Sequence, residues 1–312
     1  MSSIPLVLKG KVLSWLPYEE LVELAVDIVS HALPFIDDYQ ELYKISVVNN
    51  RPRTLELLIK RGCKIDYTKE IFPIYYLRHY KVNGFNYVSS KGHIEIVKLL
   101  LSLPAEYGID VSDDNNYAIR IASYNGYIEI VKLLSLLSEY GIDASADNNY
   151  AIRYASSKGH IEVVKLLLSL PKSHGIDASA YNNFAIRYAS YGGHISIVKL
   201  LLSLPKSYGI DASALDNYAI RYASENGHIE IVKLLLSLPK SDGIDASADN
   251  NFAIRYASMN GRIEVVKLLL SLPKSDGIDA SALDNYAIRW TSYHGYKEVV
   301  KLLEEHINKN KN

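Results

Sequence analysis

The sequence predicts an all-α solenoid, in which helix-turn-helix repeats stack on one another. A motif Asn-Tyr/Phe-Ala-Ile-Arg returns after 33 residues and then every 34, and a glycine follows nine positions after its aromatic residue. In the segment that follows each glycine, apolar residues recur with helical spacing. The aromatic residues are Tyr117, Tyr150, Phe184, Tyr218, Phe252 and Tyr286, and the glycines are Gly126, Gly159, Gly193, Gly227, Gly261 and Gly295.

The first half of a repeat, taken from residues 147–159, has the features of a short helix. Asn148 and Asn149 are typical N-cap residues, so we expect them to accept backbone N–H bonds at the start of the helix. Ala151 and Ala155 lie one turn apart and allow a neighbouring helix to approach closely. Gly159 supplies the left-handed residue that ends the helix.

The second half is predicted to be an amphipathic helix that Pro171 stops. Glu162 and Lys165 are expected to face water as a solvated pair. One repeat leaves apolar surface open on both sides, so repeats must stack to be stable. The predicted buried stripe consists of Ile161, Val164, Leu167 and Leu168.

The string Tyr-Ala-Ser-x-x-Gly-His-Ile-Glu-Val-Val-Lys-Leu-Leu-Leu at residues 154–168 resembles the ankyrin repeat, and residues 188–202 and 222–236 nearly match it. The resemblance implies an ankyrin-repeat solenoid, and it covers roughly residues 41–305. Two features depart from the family: Tyr/Phe-Ala-Ile-Arg replaces the usual Thr-Pro-Leu-His, and Leu-Pro-Lys-Ser-x-Gly-Ile-Asp lengthens the Gly-Ala-Asp segment. Both departures are similar to the ankyrin arrays of large amoeba-infecting DNA viruses, which suggests a viral protein.

Regularity of the repeats divides the chain into four predicted parts. Residues 1–40 form a helical N-terminal cap or F-box-like segment, residues 41–112 contain degenerate repeats, residues 113–305 contain six regular repeats, and residues 306–312 form a polar tail. Within the degenerate part, Asn50 replaces the repeat glycine and Phe72-Pro73-Ile74-Tyr75 resembles the helix-opening motif. An aromatic insertion around residues 76–86 either binds a partner or folds back over an irregular repeat; its rings are Tyr76, Tyr80 and Phe85.

Residues 4–24 resemble the first half of an F-box. This resemblance implies docking to a Skp1-like subunit of a cullin-based ubiquitin ligase, with the repeats as the substrate-capture surface. Val7 departs from the pattern, because an acidic residue is usual at its position. The alternative is a pair of amphipathic helices that cap the first repeat, and the two roles are compatible. The matching residues are Pro5, Leu8, Leu13, Trp15, Leu16, Pro17 and Leu21.

Composition argues for a non-enzymatic protein that binds other proteins. With 34 basic and 35 acidic side chains and a net charge of -1, the chain lacks the positive field of a nucleic-acid or anionic-membrane binder. Cys63 is the only cysteine, which rules out an internal disulfide or a thiolate zinc site. No catalytic or phosphate-binding motif occurs, so we expect no cofactor and no metal. A cytoplasmic location is expected, in the host cell if the protein is viral, and a nuclear location is also compatible.

Two sets of side chains recur at fixed positions. The histidines after the glycines, His93, His160, His194 and His228, are predicted to be turn residues. The recurring arginines either bridge backbone carbonyls or an aspartate of the adjoining repeat, or form an anion-binding stripe. We expect the tyrosines beside them, Tyr154, Tyr188, Tyr222 and Tyr256, to lie in the core. The arginines are Arg120, Arg153, Arg187, Arg221, Arg255 and Arg289.

The positions that vary between repeats are the candidate contacts for a protein partner. They lie before the first helix of each repeat and in the pair of residues before each glycine. In ankyrin repeat proteins these positions line the concave groove that binds partners, and large apolar residues there favour recognition. The predicted contacts are Tyr124, Tyr181, Tyr191, Leu215, Glu225, Met259, Leu283 and Tyr293.

Overall fold

The computed structural model describes residues 39–63, 65–67, 70–73 and 81–311 of the chain. These residues form sixteen α-helices and one two-stranded sheet, which confirms the predicted solenoid of helix-turn-helix repeats. The described chain divides into an N-terminal unit that ends at Asp143 and a C-terminal unit that begins at Ala144. The F-box-like residues 4–24 lie outside the described residues.

The described residues of the N-terminal unit form three helix pairs. They are α1 (Tyr39–Val48) with α2 (Pro52–Lys60), α3 (Gly84–Lys91) with α4 (Ile94–Leu101), and α5 (Asp113–Asn125) with α6 (Ile128–Ser135). Asn50 has φ 52°, so it occupies the left-handed conformation of the glycine that it replaces. Leu55 and Leu58 of α2 are fully buried, as expected for a second helix of a repeat.

A short β-hairpin lies between α2 and α3, where the sequence predicted the opening of a helix. Strand β1 (Glu70–Pro73) pairs antiparallel with β2 (Lys81–Asn83), and Pro73 stands opposite Lys81. The prediction from residues 72–75 is therefore wrong for the described part, since Phe72 and Pro73 are extended, a conformation that proline tolerates in an edge strand. Phe85 is buried in α3, which agrees with an insertion that folds back. Tyr76 and Tyr80 lie outside the described residues.

The C-terminal unit contains five helix pairs, and we call the first helix of each pair inner and the second outer. The inner helices are α7 (Ala146–Ser157), α9 (Ala180–Tyr191), α11 (Ala214–Asn226), α13 (Ala248–Met259) and α15 (Ala282–Tyr293). The outer helices are α8 (Ile161–Ser169), α10 (Ile195–Leu202), α12 (Ile229–Leu236), α14 (Ile263–Leu270) and α16 (Lys297–Lys311). The predicted polar tail thus belongs to α16 as far as Lys311.

Single turns of 3-10 helix follow most outer helices. In the N-terminal unit these turns are Ala105–Tyr107 and Ser138–Tyr140. In the C-terminal unit they are Lys172–His174, Lys206–Tyr208, Lys240–Asp242 and Lys274–Asp276. Among the residues that the structure describes, no helix is both long and apolar enough to span a lipid bilayer.

Neighbouring inner helices of the C-terminal unit pack along much of their length, whereas neighbouring outer helices touch at few positions. The small side chains of Ala151 and Ala155 are fully buried, which confirms their predicted role. The predicted outer-helix stripe is partly wrong, because Val163 is buried while Ile161 is only half-buried. The buried side chains of α8 are Val163, Val164 and Leu167.

Each inner helix of the C-terminal unit opens with three consecutive residues of positive φ. In α7 these are Asp147, Asn148 and Asn149, with φ of 56°, 53° and 61°, and the right-handed helix starts at Tyr150. We call the equivalent residues of the five repeats the left-handed edge. It comprises residues 147–149, 181–183, 215–217, 249–251 and 283–285.

The left-handed edge contains Asn148, and it corrects the predicted role of Asn149. The Oδ1 atom of Asn149 accepts the N–H of Asp177 in the next repeat at 2.8 Å, instead of an N–H of its own helix. The same bond recurs from Asn183 and Asn217, whose side chains are also buried. These asparagines therefore join successive repeats. Asparagine suits the position because its short polar side chain tolerates left-handed backbone.

Candidate protein-binding surface

The recurring arginines hold the left-handed edge in place. The Nε atom of Arg187 donates to the carbonyl of Asn182 at 2.8 Å, and Nη2 donates to the carbonyl of Tyr181 at 3.1 Å. Arg153 and Arg255 repeat both bonds. The backbone turn therefore places its carbonyls in the fork of a planar guanidinium. Of the two interpretations of the arginines, the bonds bear out the structural one.

The guanidiniums of the first four repeats of the C-terminal unit also contact the next repeat. Arg187 lies 5.0 Å from the ring centroid of Tyr218, and Arg153 lies 4.8 Å from that of Tyr181. Arg221 pairs with the carboxylate of Asp249. Burial lowers the pKa of Arg187, and nearby tyrosines partly offset this effect. The arginines thus connect the carbonyls of one repeat with the aromatic rings or carboxylate of the following one.

Aromatic rings form a continuous stack along the inner helices. Phe184 and Tyr188 lie 4.0 Å apart between ring centroids, and Tyr188 lies 5.4 Å from Tyr218 of the next repeat. The prediction that the tyrosines beside the arginines belong to the core is wrong, because these side chains are half-buried. The alanines of the inner helices are buried and neighbouring inner helices pack closely, so the tyrosine rings lie to one side, whereas Phe184 and Phe252 are buried. The stack runs through Tyr150, Tyr154, Phe184, Tyr188, Tyr218, Tyr222, Phe252, Tyr256, Tyr286 and Trp290.

The residue after each repeat glycine seals the junction with the preceding repeat. The Nε2 atom of His194 is 3.0 Å from the carbonyl oxygen of Ser157, and its ring covers Gly159. His228 makes the same contact with the carbonyl of Tyr191 at 3.0 Å. These positions confirm that the histidines are turn residues.

Because burial lowers the pKa of His194, stability should fall in acid. A histidine in the unfolded chain takes up a proton near pH 6.5, whereas His194 in the folded protein does so only at lower pH. The stability that neutral His194 contributes to folding is therefore complete above about pH 6.5 and is lost as pH falls through the folded-state pKa. Protonated His160 and His228 lower that pKa further. We expect His194→Tyr to unfold with a smaller pH dependence below about pH 6.5. Urea unfolding at several pH values below about 6.5 measures the free energy of unfolding of both proteins. If this free energy falls with pH equally in the wild type and the variant, the prediction is wrong.

The first row of predicted contacts lies on the left-handed edge and is exposed to solvent. Tyr181, Leu215 and Leu283 are the first left-handed residues of their repeats, with φ of 58°, 51° and 53°. Their exposed fractions are 62%, 50% and 51%. The corresponding residues in the other repeats of this unit are Asp147 and Asp249, which are also exposed.

The second row lies at the carboxyl ends of the inner helices. Tyr191 and Tyr293 are exposed, by 45% and 78%, whereas Glu225 and Met259 are half-buried. Burial raises the pKa of Glu225, and nearby Arg262 opposes the rise. The phenol of Tyr286 lies against the Met259 sulfur at 3.8 Å. Tyr124 occupies the equivalent position on α5 of the N-terminal unit and is half-buried.

The sequence pattern did not predict the exposed aromatic cluster of Trp290 and Tyr293. Trp290 is 41% exposed in the last inner helix, and its ring lies 5.7 Å from that of Tyr293. It takes the position of Tyr256 in the stack, but the described chain has no further helix to cover it. The signal was present as a tryptophan where the other repeats have tyrosine or isoleucine.

The surface suits recognition of another macromolecule. Its exposed groups are apolar side chains, carboxylates and side-chain amides, which lie on the left-handed edge and at the carboxyl ends of the inner helices. Stacked helix pairs that present varying side chains on a constant scaffold define an α-helical repeat protein.

A family model described as Ankyrin repeats (3 copies) matches residues 42–148, 135–216 and 220–312. The chain therefore belongs to the ankyrin repeat family, whose repeats generally mediate protein–protein interaction. The sequence matched none of the curated proteins with which it was compared.

Proposed function

We propose that this ankyrin repeat protein is a non-catalytic interaction scaffold that binds a protein through the inner-helix side of its C-terminal unit. The contacts come from the left-handed edge and from the carboxyl ends of the inner helices. Close packing of the inner helices supports a concave surface on this side. The contacting residues are Tyr181, Tyr191, Leu215, Leu283 and Tyr293, with Glu225 and Met259 at their margin.

The observation that carries the proposal is the conformation of Leu215 and Leu283. Left-handed backbone costs about 1–2 kcal/mol for an ordinary L-residue, while asparagine and aspartate tolerate it. Both leucines also expose half of an apolar side chain to water. Repeats with Asp147 and Asp249 show that the fold accepts a better residue at this position. Two separate penalties at one position favour a binding role, because strained and exposed residues persist where function needs them.

Replacing Leu215 by aspartate should therefore stabilise the protein and weaken its binding. We expect the free energy of unfolding to rise by up to about 1 kcal/mol, because the left-handed residue is better tolerated. Affinity for the protein that the full-length chain captures should fall at least about tenfold. Urea unfolding and isothermal calorimetry measure the two effects.

Leu136→Asp is the matched control, since Leu136 is 74% exposed at the end of α6 but has ordinary right-handed backbone. It should leave both stability and affinity nearly unchanged. Equal affinity of the Leu215→Asp variant and the wild type would remove Leu215 from the binding surface.

A second candidate function is that of a substrate adaptor of a cullin-type ubiquitin ligase. The F-box-like match of residues 4–24 favours it, with Leu13, Trp15 and Leu16 as docking residues. Full-length chain should capture a purified Skp1-like subunit, and alanine at these three positions should abolish capture. No capture by the wild-type chain eliminates this candidate.

A cytoplasmic location, in the host cell if the chain is viral, stays a prediction that imaging of a tagged full-length chain can test.

A further inference from the structure

We propose that the left-handed edge of the C-terminal unit binds an extended polypeptide segment in which basic and large apolar residues recur at every third position. This inference rests on the proposed function and specifies the chemistry of the partner. It is carried by the charge of the edge, by the order of its side chains and by the distance between repeats.

The edge and the turns leading into it are acidic. Residues 177–183, 211–217, 245–251 and 279–285 contain no lysine and no arginine. Their exposed carboxylates are those of Asp177, Asp211, Asp216, Asp245, Asp249, Asp279 and Asp284. The arginines behind the edge face its carbonyls, and Arg153, Arg187, Arg221 and Arg255 are buried. A carboxylate has about four acceptor sites, so Asp249 retains capacity beside its bond to Arg221. A partner with lysine or arginine complements this charge.

Acidic and apolar side chains follow a fixed order along the edge. The first left-handed residues of the five repeats are Asp147, Tyr181, Leu215, Asp249 and Leu283. A complementary segment places a basic residue against each aspartate and an apolar residue against each tyrosine or leucine.

The second left-handed residues supply hydrogen-bonding groups. Asn148, Asn182 and Asn250 are exposed, and Asp216 and Asp284 occupy the same position in the other repeats. A side-chain amide can both donate to and accept from the backbone of an extended chain. The surface thus offers bonds for a main chain as well as contacts for its side chains.

The distance between repeats matches an extended chain. Packed helices lie about 8–10 Å apart, and an extended chain advances about 3.3 Å per residue. Three residues therefore span one repeat. The predicted segment reads basic-x-x-apolar-x-x-apolar-x-x-basic-x-x-apolar, and it covers thirteen positions in either chain direction.

A random fifteen-residue peptide library displayed on phage tests this chemistry against the full-length protein. We expect the enriched peptides to contain more lysine and arginine than aspartate and glutamate, with large apolar residues three positions apart. The affinity of a synthetic peptide with an enriched sequence is then measured by fluorescence anisotropy.

The asparagine variant combines Asp147→Asn, Asp216→Asn, Asp249→Asn and Asp284→Asn. It removes the negative charge of these side chains while keeping residues that tolerate left-handed backbone. This variant should bind the peptide at least about tenfold more weakly and with less salt dependence.

Enrichment of acidic or uncharged peptides, or affinity within twofold of wild type for the asparagine variant, overturns the proposed chemistry. The variant Tyr181→Asn, Leu215→Asp, Leu283→Asp separates this failure from that of the proposed function. If it weakens binding of the captured protein while the asparagine variant does not, the surface is correct and its charge preference is wrong. If neither variant weakens that binding, the proposed function fails as well.

Discussion

Replacement of Gly159 by alanine is expected to lower the free energy of unfolding by about 3 kcal/mol. Gly159 has φ +82°, and a Cβ atom there would stand 2.7 Å from two atoms of the His194 ring. Left-handed alanine costs about 1–2 kcal/mol, and displacement of a packed ring adds about 1–3 kcal/mol. Urea unfolding followed by circular dichroism measures the loss.

Gly295→Ala is the matched control for this substitution. Gly295 has nearly the same φ, +80°, but a Cβ atom at this residue would meet no other atom within 4 Å. It should therefore show only the conformational penalty of about 1–2 kcal/mol. Removal of the ring by His194→Ala should also reduce the effect of Gly159→Ala, because the two residues touch. Equal losses at Gly159 and Gly295 would show that the ring contact contributes nothing.

Replacement of Arg187 by alanine should destabilise the C-terminal unit by about 3 kcal/mol. The substitution leaves the carbonyls of Tyr181 and Asn182 without their guanidinium donors, and bonds to charged groups contribute about 1.5–3 kcal/mol each. It also removes the cation from the Tyr218 ring. Thermal and urea unfolding measure the loss of stability. The substitution should also disturb the exposed Tyr181, because Arg187 donates to its carbonyl.

Two further substitutions identify the physical cause. Arg187→Lys keeps the charge but cannot reproduce the planar fork, so it should recover less than half of the lost stability. Arg289 stands at the same position of the last repeat, where it is exposed and donates to the carbonyl of Leu283 at 3.2 Å. Arg289→Ala should cost less than about 1 kcal/mol. Full recovery by lysine would mean that charge alone matters.

Much of the repeat could be predicted because its signals are local. The repeat glycines supply the positive φ of the turn that follows each inner helix, and the paired alanines lie one helical turn apart on a single helix. The Glu162 and Lys165 pair also follows from helical spacing, and its atoms are 2.8 Å apart. These features depend on neighbours within a few residues, which a pattern of residue types records directly.

The candidate surface was predictable only in part. Variation between repeats selected Tyr181, Leu215 and Leu283, and the structure places all three on one exposed edge. Variation did not distinguish them from Met259, which contacts Tyr286 of the next repeat and is half-buried. Burial by a residue 27 positions away leaves no local trace in the sequence.

The sequence by itself determined the repeat length, the two helices of each repeat and the need for stacking, because these follow from periodicity and turn chemistry. The tertiary structure alone decided the roles of Asn149 and Arg187, whose partners lie partly in the following repeat. It also decided that the tyrosines beside the arginines are half-buried members of an aromatic stack, in which Phe184 and Phe252 are buried. Contacts between repeats depend on distance in space, and a sequence specifies that distance only once the chain has folded.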